Sequence, residues 1–355
     1  MIDIDTWILE YSAYFEQIEY SKTNSTISLY FPDIEYPLTL NIKQIELLKS
    51  GRIPKIKNFS YYNEYGFQYL GYAEIFISFT NWFTNIVDLK FKIGNSIFEL
   101  SEYSNYTYIL FTDYFENISE LYRDNGFNND GNFSLKIYNS NKDELNSNIE
   151  KALYYLNSYY IRDINNSVKI SNLPIGNYDD FSFNDSNVTR KRVRTRKDIN
   201  DIIPLKLYNY AVTQNSDSRF LSFYRVIEYY FPLITEKKIQ ELRFTKAISN
   251  SKFLSSIRDL NTEKGALKVL IENVLTFNES KYLINILEKN SIIDKNCSSS
   301  LFTLLYDFRC SIVHSKSTLK GNIVIPDPLE VNNTIDIWAG VGKYIAEKSI
   351  NKLSS

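Results

Sequence analysis

The strongest constraint on the fold is a change in the spacing of apolar residues along the chain. Between residues 25 and 138, short segments rich in Ile, Val, Phe, Tyr and Thr alternate with clusters of Asn, Asp and Gly. This pattern is typical of β-strands joined by turns. The segments are STISLYF, FQYLGYAEIFISF, VDLKFKI, YTYILF and FSLKIY, and the clearest turn region is 123–132. With a helix predicted at 144–160, we expect residues 1–189 to form a β-rich antiparallel α+β domain.

After Pro204 the apolar residues recur at the spacing of an α-helix. Asp217 or Ser218 is expected to cap the first helix, and Pro232 to end it. The helices are predicted at 219–231, 236–248, 263–276, 279–289, within 298–315 and at 333–353. We therefore expect residues 205–355 to form an all-α bundle of five to six helices, which makes this a two-domain chain.

A polar and then basic segment, residues 190–204, is predicted to link the two domains. Its cations are Arg190, Lys191, Arg192, Arg194, Arg196 and Lys197. Residues 1–189 hold 14 basic and 25 acidic side chains, whereas residues 190–355 hold 26 and 17. The basic segment is either a solvated linker or a contact for RNA phosphates, and charge does not decide between the two.

The composition also limits the compartment and the cofactors. The first dozen residues carry acidic side chains where a signal sequence needs basic ones. No apolar run approaches the roughly 20 residues that span a bilayer. Two cysteines and one histidine exclude a disulfide framework and a structural zinc site with four Cys or His ligands. We expect a cytoplasmic protein without membrane contact, metal or other cofactor.

The string RCSIVH places Arg309 and the only histidine, His314, on one predicted helix. Imidazole titrates near neutral pH and can act as base or acid, while guanidinium stays charged and can grip two phosphate oxygens. Five positions along a helix correspond to a rise of about 7.5 Å and a net turn of about 140°, so one helix alone makes a poor site. Two copies packed about a two-fold axis could bring each Arg towards the partner's His.

The segment RFLSFYRVIEYYF, followed about 80 residues later by LYDFRCSIVHSK, resembles the HEPN superfamily and most closely its Apea-like branch. The resemblance covers roughly residues 205–350. It implies a homodimeric helical ribonuclease that cleaves RNA without metal, leaving a 2′,3′-cyclic phosphate and a 5′-hydroxyl. It also implies a setting in antiphage defence by abortive infection, or a toxin role.

The same resemblance assigns roles to residues around the motif. Glu228 matches the acidic position that orients the motif Arg, and Cys310 stands where the family commonly has Asn or Asp. Ser311 is taken as a supporting residue and Lys316 as an RNA contact. The N-terminal domain is expected to sense an unknown trigger or to restrain the nuclease.

Three alternatives remain open from the sequence. The bundle could be an inactive scaffold that dimerises and binds RNA or a nucleotide, or a subunit that is silent without a partner. Cys310 and His314, four positions apart, could also form a thiolate–imidazolium pair.

Overall fold

The computed structural model describes residues 4–10, 19–30, 37–62, 65–79, 89–111, 133–160, 167–170, 194–245, 248–295, 297–314 and 333–354. The chain divides into two compact units. The first consists of residues 1–152 and 168–198, and the second of residues 153–167 and 199–355. The expected sequence of an N-terminal sheet region and a C-terminal helical region is confirmed. No helix in the described ranges is long and apolar enough to cross a membrane.

The first unit begins with a small antiparallel sheet and two helices. The sheet has the order β1-β2-β3, and the helices are α1 and α2. Their bounds are α1 Ile4–Glu10, β1 Glu19–Lys22, β2 Thr26–Tyr30, β3 Leu38–Asn41 and α2 Ile42–Lys49. Alternate residues of β2 and β3 are buried, as expected for strands with one face on a core. Asn41 and Gln44 form a capping box that starts α2 directly after β3.

Among the described residues, the first unit also has a larger sheet of eight strands. Seven of them follow the order β11-β7-β8-β9-β6-β5-β4, and the eighth, β10, pairs with β6. The pairs are antiparallel except β11 with β7, which is parallel. Helix α3 lies between β8 and β9 in the chain, and helix α4 lies between β9 and β10. Their bounds are β4 Phe59–Tyr61, β5 Gly66–Tyr69, β6 Tyr72–Phe79, β7 Leu89–Ile93, β8 Ser96–Glu102, α3 Asn105–Leu110, β9 Phe133–Tyr138, α4 Leu145–Tyr155, β10 Val168–Ile170 and β11 Arg194–Arg196.

A buried carboxylate ties three elements of this unit together. Glu74 of β6 is fully buried and accepts from the hydroxyl of Ser134 on β9 at 2.8 Å and from that of Tyr72 at 2.9 Å. The backbone N–H of Ser104 donates to it at 2.9 Å, and the Ser104 hydroxyl donates as well. Four donors on one carboxylate offset much of the cost of burying its charge.

The second unit is helical. α4 continues into a π-helical turn, Leu156–Tyr160, which belongs to this unit. Its helices are α5 Ile203–Val212, α6 Ser216–Tyr229, α7 Phe231–Phe244, α8 Asn250–Leu260, α9 Glu263–Val274, α10 Phe277–Lys289, α11 Leu301–His314 and α12 Asn333–Leu353. α6, α11 and α12 meet in an aromatic core. The ring of Phe308 lies 4.8 Å from that of Phe220 and 4.6 Å from that of Trp338.

One predicted strand is wrong. The segment YTYILF, residues 106–111, is helical, because α3 covers Asn105–Leu110. Its aromatic and β-branched side chains favour a strand on composition. The helix begins here because the Ser104 side chain caps it, accepting from the N–H of Thr107.

Other boundaries also differ from expectation. FQYLGYAEIFISF is a hairpin, β5 and β6, with Leu70 at a positive φ of 53° in the turn. The described residues from 199 onwards form eight helices. Two of these, α5 and α8, were not predicted. The N-cap of α6 is Asn215, and Pro232 lies in the first turn of α7, the position where proline is tolerated. The predicted turn region 123–132 lies outside the described residues.

Candidate active site around Arg309

Helix α11 carries the Arg-x4-His motif and buries one face. Leu301, Leu305 and Phe308 are each less than 10% exposed, which follows from their spacing of four and three residues. Arg309 lies at the edge of this face, with 19% of its side chain exposed. The guanidinium is therefore beside the core and in reach of solvent. His314 is the last residue of α11, and its side chain lies outside the described residues.

Arg309 is held by two carboxylates and an aromatic ring. Its Nε lies 3.1 Å from Oε1 of Glu263, and its Nη2 lies 3.7 Å from Oε1 of Glu228. The guanidinium carbon is 5.8 Å from the centre of the Tyr224 ring. The predicted pairing with Glu228 is present as a long ion pair, and Glu263 is a partner that the sequence analysis missed.

Glu263 comes from the start of α9. Thr262 caps this helix by accepting from the N–H of Gly265, and Glu263 follows as the first helical residue. The Tyr224 hydroxyl donates to Glu263 at 2.9 Å. A carboxylate at a helix N-terminus is favoured by the helix dipole. The fold thus brings α6, α9 and α11 together around one guanidinium.

The crowded charges shift the pKa values of the site. Burial, followed by the charge of Glu263, raises the pKa of Glu228. Burial and the bond to Glu263 also raise the pKa of Tyr224. For Arg309, burial acts to lower the pKa, but the carboxylates of Glu263 and Glu228 outweigh it and the pKa is raised. The cluster thus places two carboxyl groups against one guanidinium.

The two residues that follow Arg309 make different contacts. Cys310 is half-buried, and its hydrogen bond with Tyr306, followed by burial, raises the pKa of that phenol. The Ser311 hydroxyl donates to the carbonyl of Phe308 in the same helix at 2.7 Å. Such a bond satisfies the hydroxyl within α11.

The predicted RNA-binding cations are described only in part. Arg190, Lys191, Arg192, Lys316 and the side chain of Arg194 lie outside the described residues. Arg196 ends β11, which pairs with residues 91–93 of β7, and Lys197 follows it with an exposed side chain. This part of the basic segment belongs to the first unit.

A cavity of about 690 Å³ lies elsewhere in the helical unit. It is lined by residues of α9 and α10, the start of α11 and the serines before it, and none of the Arg309 partners lines it. Within the described ranges, no three His, Cys, Asp or Glu side chains are grouped as metal ligands.

Comparisons with protein-family models, with curated proteins and with solved structures found no match to this chain. The HEPN resemblance therefore depends on the residues themselves, and the function has to be argued from the geometry around Arg309.

Proposed function

We propose that the chain is a metal-independent endoribonuclease of the HEPN type, with Arg309 and His314 as its catalytic residues. The observation that carries the proposal is the placement of Arg309. A guanidinium that only filled space would not require two other helices to supply partners for it. Here α6 and α9 orient it at the edge of the core while part of it stays open to solvent.

The chemistry follows from the two side chains. RNA cleavage by 2′-hydroxyl attack needs a group that accepts the hydroxyl proton and a group that stabilises the extra negative charge on the phosphorane. His314 supplies the first and Arg309 the second. As the new bond from the 2′-oxygen to phosphorus forms, the bond from phosphorus to the 5′-oxygen breaks, and the protonated imidazole returns its proton to the 5′-oxygen. The expected products carry a 2′,3′-cyclic phosphate and a 5′-hydroxyl.

The site is completed by a second copy of the chain. Arg309 and His314 are five positions apart on α11, so their side chains leave the helix in directions about 140° apart. A two-fold axis along α11 brings Arg309 of one protomer towards the partner's histidine. The homodimer would also bring two copies of Arg309 to one groove. We place the enzyme in antiphage defence by abortive infection, or in a toxin role, with the first unit responding to a trigger.

The test is cleavage of a labelled single-stranded RNA by the full chain in the presence of a metal chelator. Arg309→Lys keeps the charge but loses the planar fork, so we expect at least about 100-fold slower cleavage. His314→Ala should lose a comparable factor. Arg243→Ala, an exposed residue of α7, is the matched control and should cleave normally. Cleavage that survives both motif substitutions would contradict the proposal.

The second candidate function is an inactive scaffold that dimerises and binds RNA. One observation favours it: Cys310 stands where the family commonly has Asn or Asp. In that case the wild type and both motif variants bind RNA equally and none of them cleaves it.

A further inference from the structure

The two carboxylate partners of Arg309 are not equivalent. The Nε of Arg309 lies 3.1 Å from Oε1 of Glu263, a close ion pair, whereas Nη2 lies 3.7 Å from Oε1 of Glu228, near the limit for an ion pair. Glu263 therefore fixes the direction of the guanidinium, and Glu228 contributes mainly its charge.

The fold also holds Glu263 more firmly. Its backbone starts α9 behind the Thr262 cap, and its carboxylate accepts from Tyr224. The turn from α8 into α9 is tight, since a Cβ added to Gly265 would lie 1.9 Å from the carbonyl oxygen of Asp259. Both ends of Glu263 are thus fixed by contacts that do not involve Arg309.

Glu228 has weaker support. About a third of its side chain is exposed, 35% against 27% for Glu263. The charged groups that act on it are Glu263, Arg309 and Arg225, and repulsion by Glu263 adds to burial in raising its pKa. A phosphodiester offers two oxygens that match a guanidinium, and it can replace Glu228 without disturbing the ion pair at Nε.

We propose that Glu263 is the positioning residue that anchors Arg309, and that Glu228 occupies the phosphate-binding side of Arg309 until RNA displaces it. This division of roles rests on the proposed function. It makes Glu228 a competitor of the substrate and Glu263 a requirement for the reaction.

The kinetic test compares Glu263→Gln and Glu228→Gln in the full chain. Misalignment of Arg309 should lower kcat of Glu263→Gln by about 10- to 100-fold. Loss of the competing charge should lower KM of Glu228→Gln and leave kcat within about threefold of wild type. Glu272→Gln, an exposed residue nine positions further along α9, is the matched control and should change neither.

A second measurement does not depend on cleavage. The Nε–H resonance of Arg309, assigned by its loss in Arg309→Lys, should be protected from exchange in wild type and Glu228→Gln and lose protection in Glu263→Gln. A non-cleavable all-deoxy oligonucleotide should bind Glu228→Gln more tightly than wild type.

Several results would overturn the assignment. These are protection that survives in Glu263→Gln, a kcat of Glu228→Gln as low as that of Glu263→Gln, or oligonucleotide binding that is unchanged or weakened in Glu228→Gln. If no variant cleaves RNA while the protection and binding results hold, the ribonuclease proposal fails, whereas the anchoring of Arg309 by Glu263 and the competition of Glu228 with a bound phosphodiester stand.

Discussion

Glu347 of α12 should make the stability of the helical unit depend on pH. Its carboxyl group accepts a hydrogen bond from the Tyr208 hydroxyl of α5 at 2.6 Å. Burial raises its pKa from 4.5 to about 7, although the charge of Lys343 and the bond from Tyr208 act in the opposite direction. The folded unit therefore keeps this proton at a pH where the unfolded chain has released it.

The direction and size of the effect follow from proton linkage. Between pH 4.5 and about 7 the folded state binds one proton more than the unfolded state, so stability falls as the pH rises. At about 1.4 kcal/mol for each pH unit, the loss over this range reaches at most about 3.5 kcal/mol. Below pH 4.5 both states are protonated and the contribution is fully present. The side chain is partly exposed, which makes the figure an upper bound.

Urea unfolding at a series of pH values, followed by far-ultraviolet circular dichroism, measures this dependence. Glu347→Gln keeps an acceptor for Tyr208 but cannot ionise, so its stability should fall less between pH 5 and 8 than that of the wild type. Glu272→Gln, exposed on α9, should follow the wild type. Parallel curves for the wild type and Glu347→Gln would refute the reasoning.

Three further substitutions test other contacts. The hydrogen bonds from Lys348 and from the Thr276 backbone lower the pKa of Glu279 to about 2. This carboxylate therefore stabilises the fold above pH 4.5, and the stabilisation is lost as the pH falls towards 2. Glu279→Gln should lower the free energy of unfolding in urea by about 1 kcal/mol at pH 7 and leave it unchanged near pH 2. Gly265→Ala should cost about 2 kcal/mol or more by the same assay, since the new Cβ would overlap a backbone oxygen. Glu74→Ala leaves four donors, two of them buried, without their acceptor and should destabilise the first unit by about 3 kcal/mol, measured by hydrogen exchange of β6 and β9.

The sequence predicted the helices that carry a regular apolar stripe. Phe220, Phe223 and Ile227 are all fully buried on α6, and α12 has the predicted bounds Asn333–Leu353. Helix α8 was missed because only Leu260 of its eleven residues is buried, and a helix that buries so little has no clear stripe. Helix α5, which buries six of its ten residues, was not predicted either.

Contacts between distant segments could not be predicted in this way. The pairing of Glu228 with Arg309 was expected only because family resemblance pointed to it. Glu263 gave a local signal, since Thr262 before an acidic residue is typical of a helix start. Its ion pair with Arg309, which is 46 positions away in the sequence, depends on how three helices pack. The spacing of residues along the chain does not predict such a contact.

The chain path through the two units determines how the protein can be dissected. Residues 153–160 belong to the helical unit although they precede β10 and β11 in the chain. Tyr154 packs edge-on against Tyr208 with 5.0 Å between ring centres. A truncation at the basic segment would remove this tyrosine and open a void in the helical core, at a cost of about 3 to 5 kcal/mol. A free-standing helical unit would have to be produced as two complementing fragments or as a circular permutant.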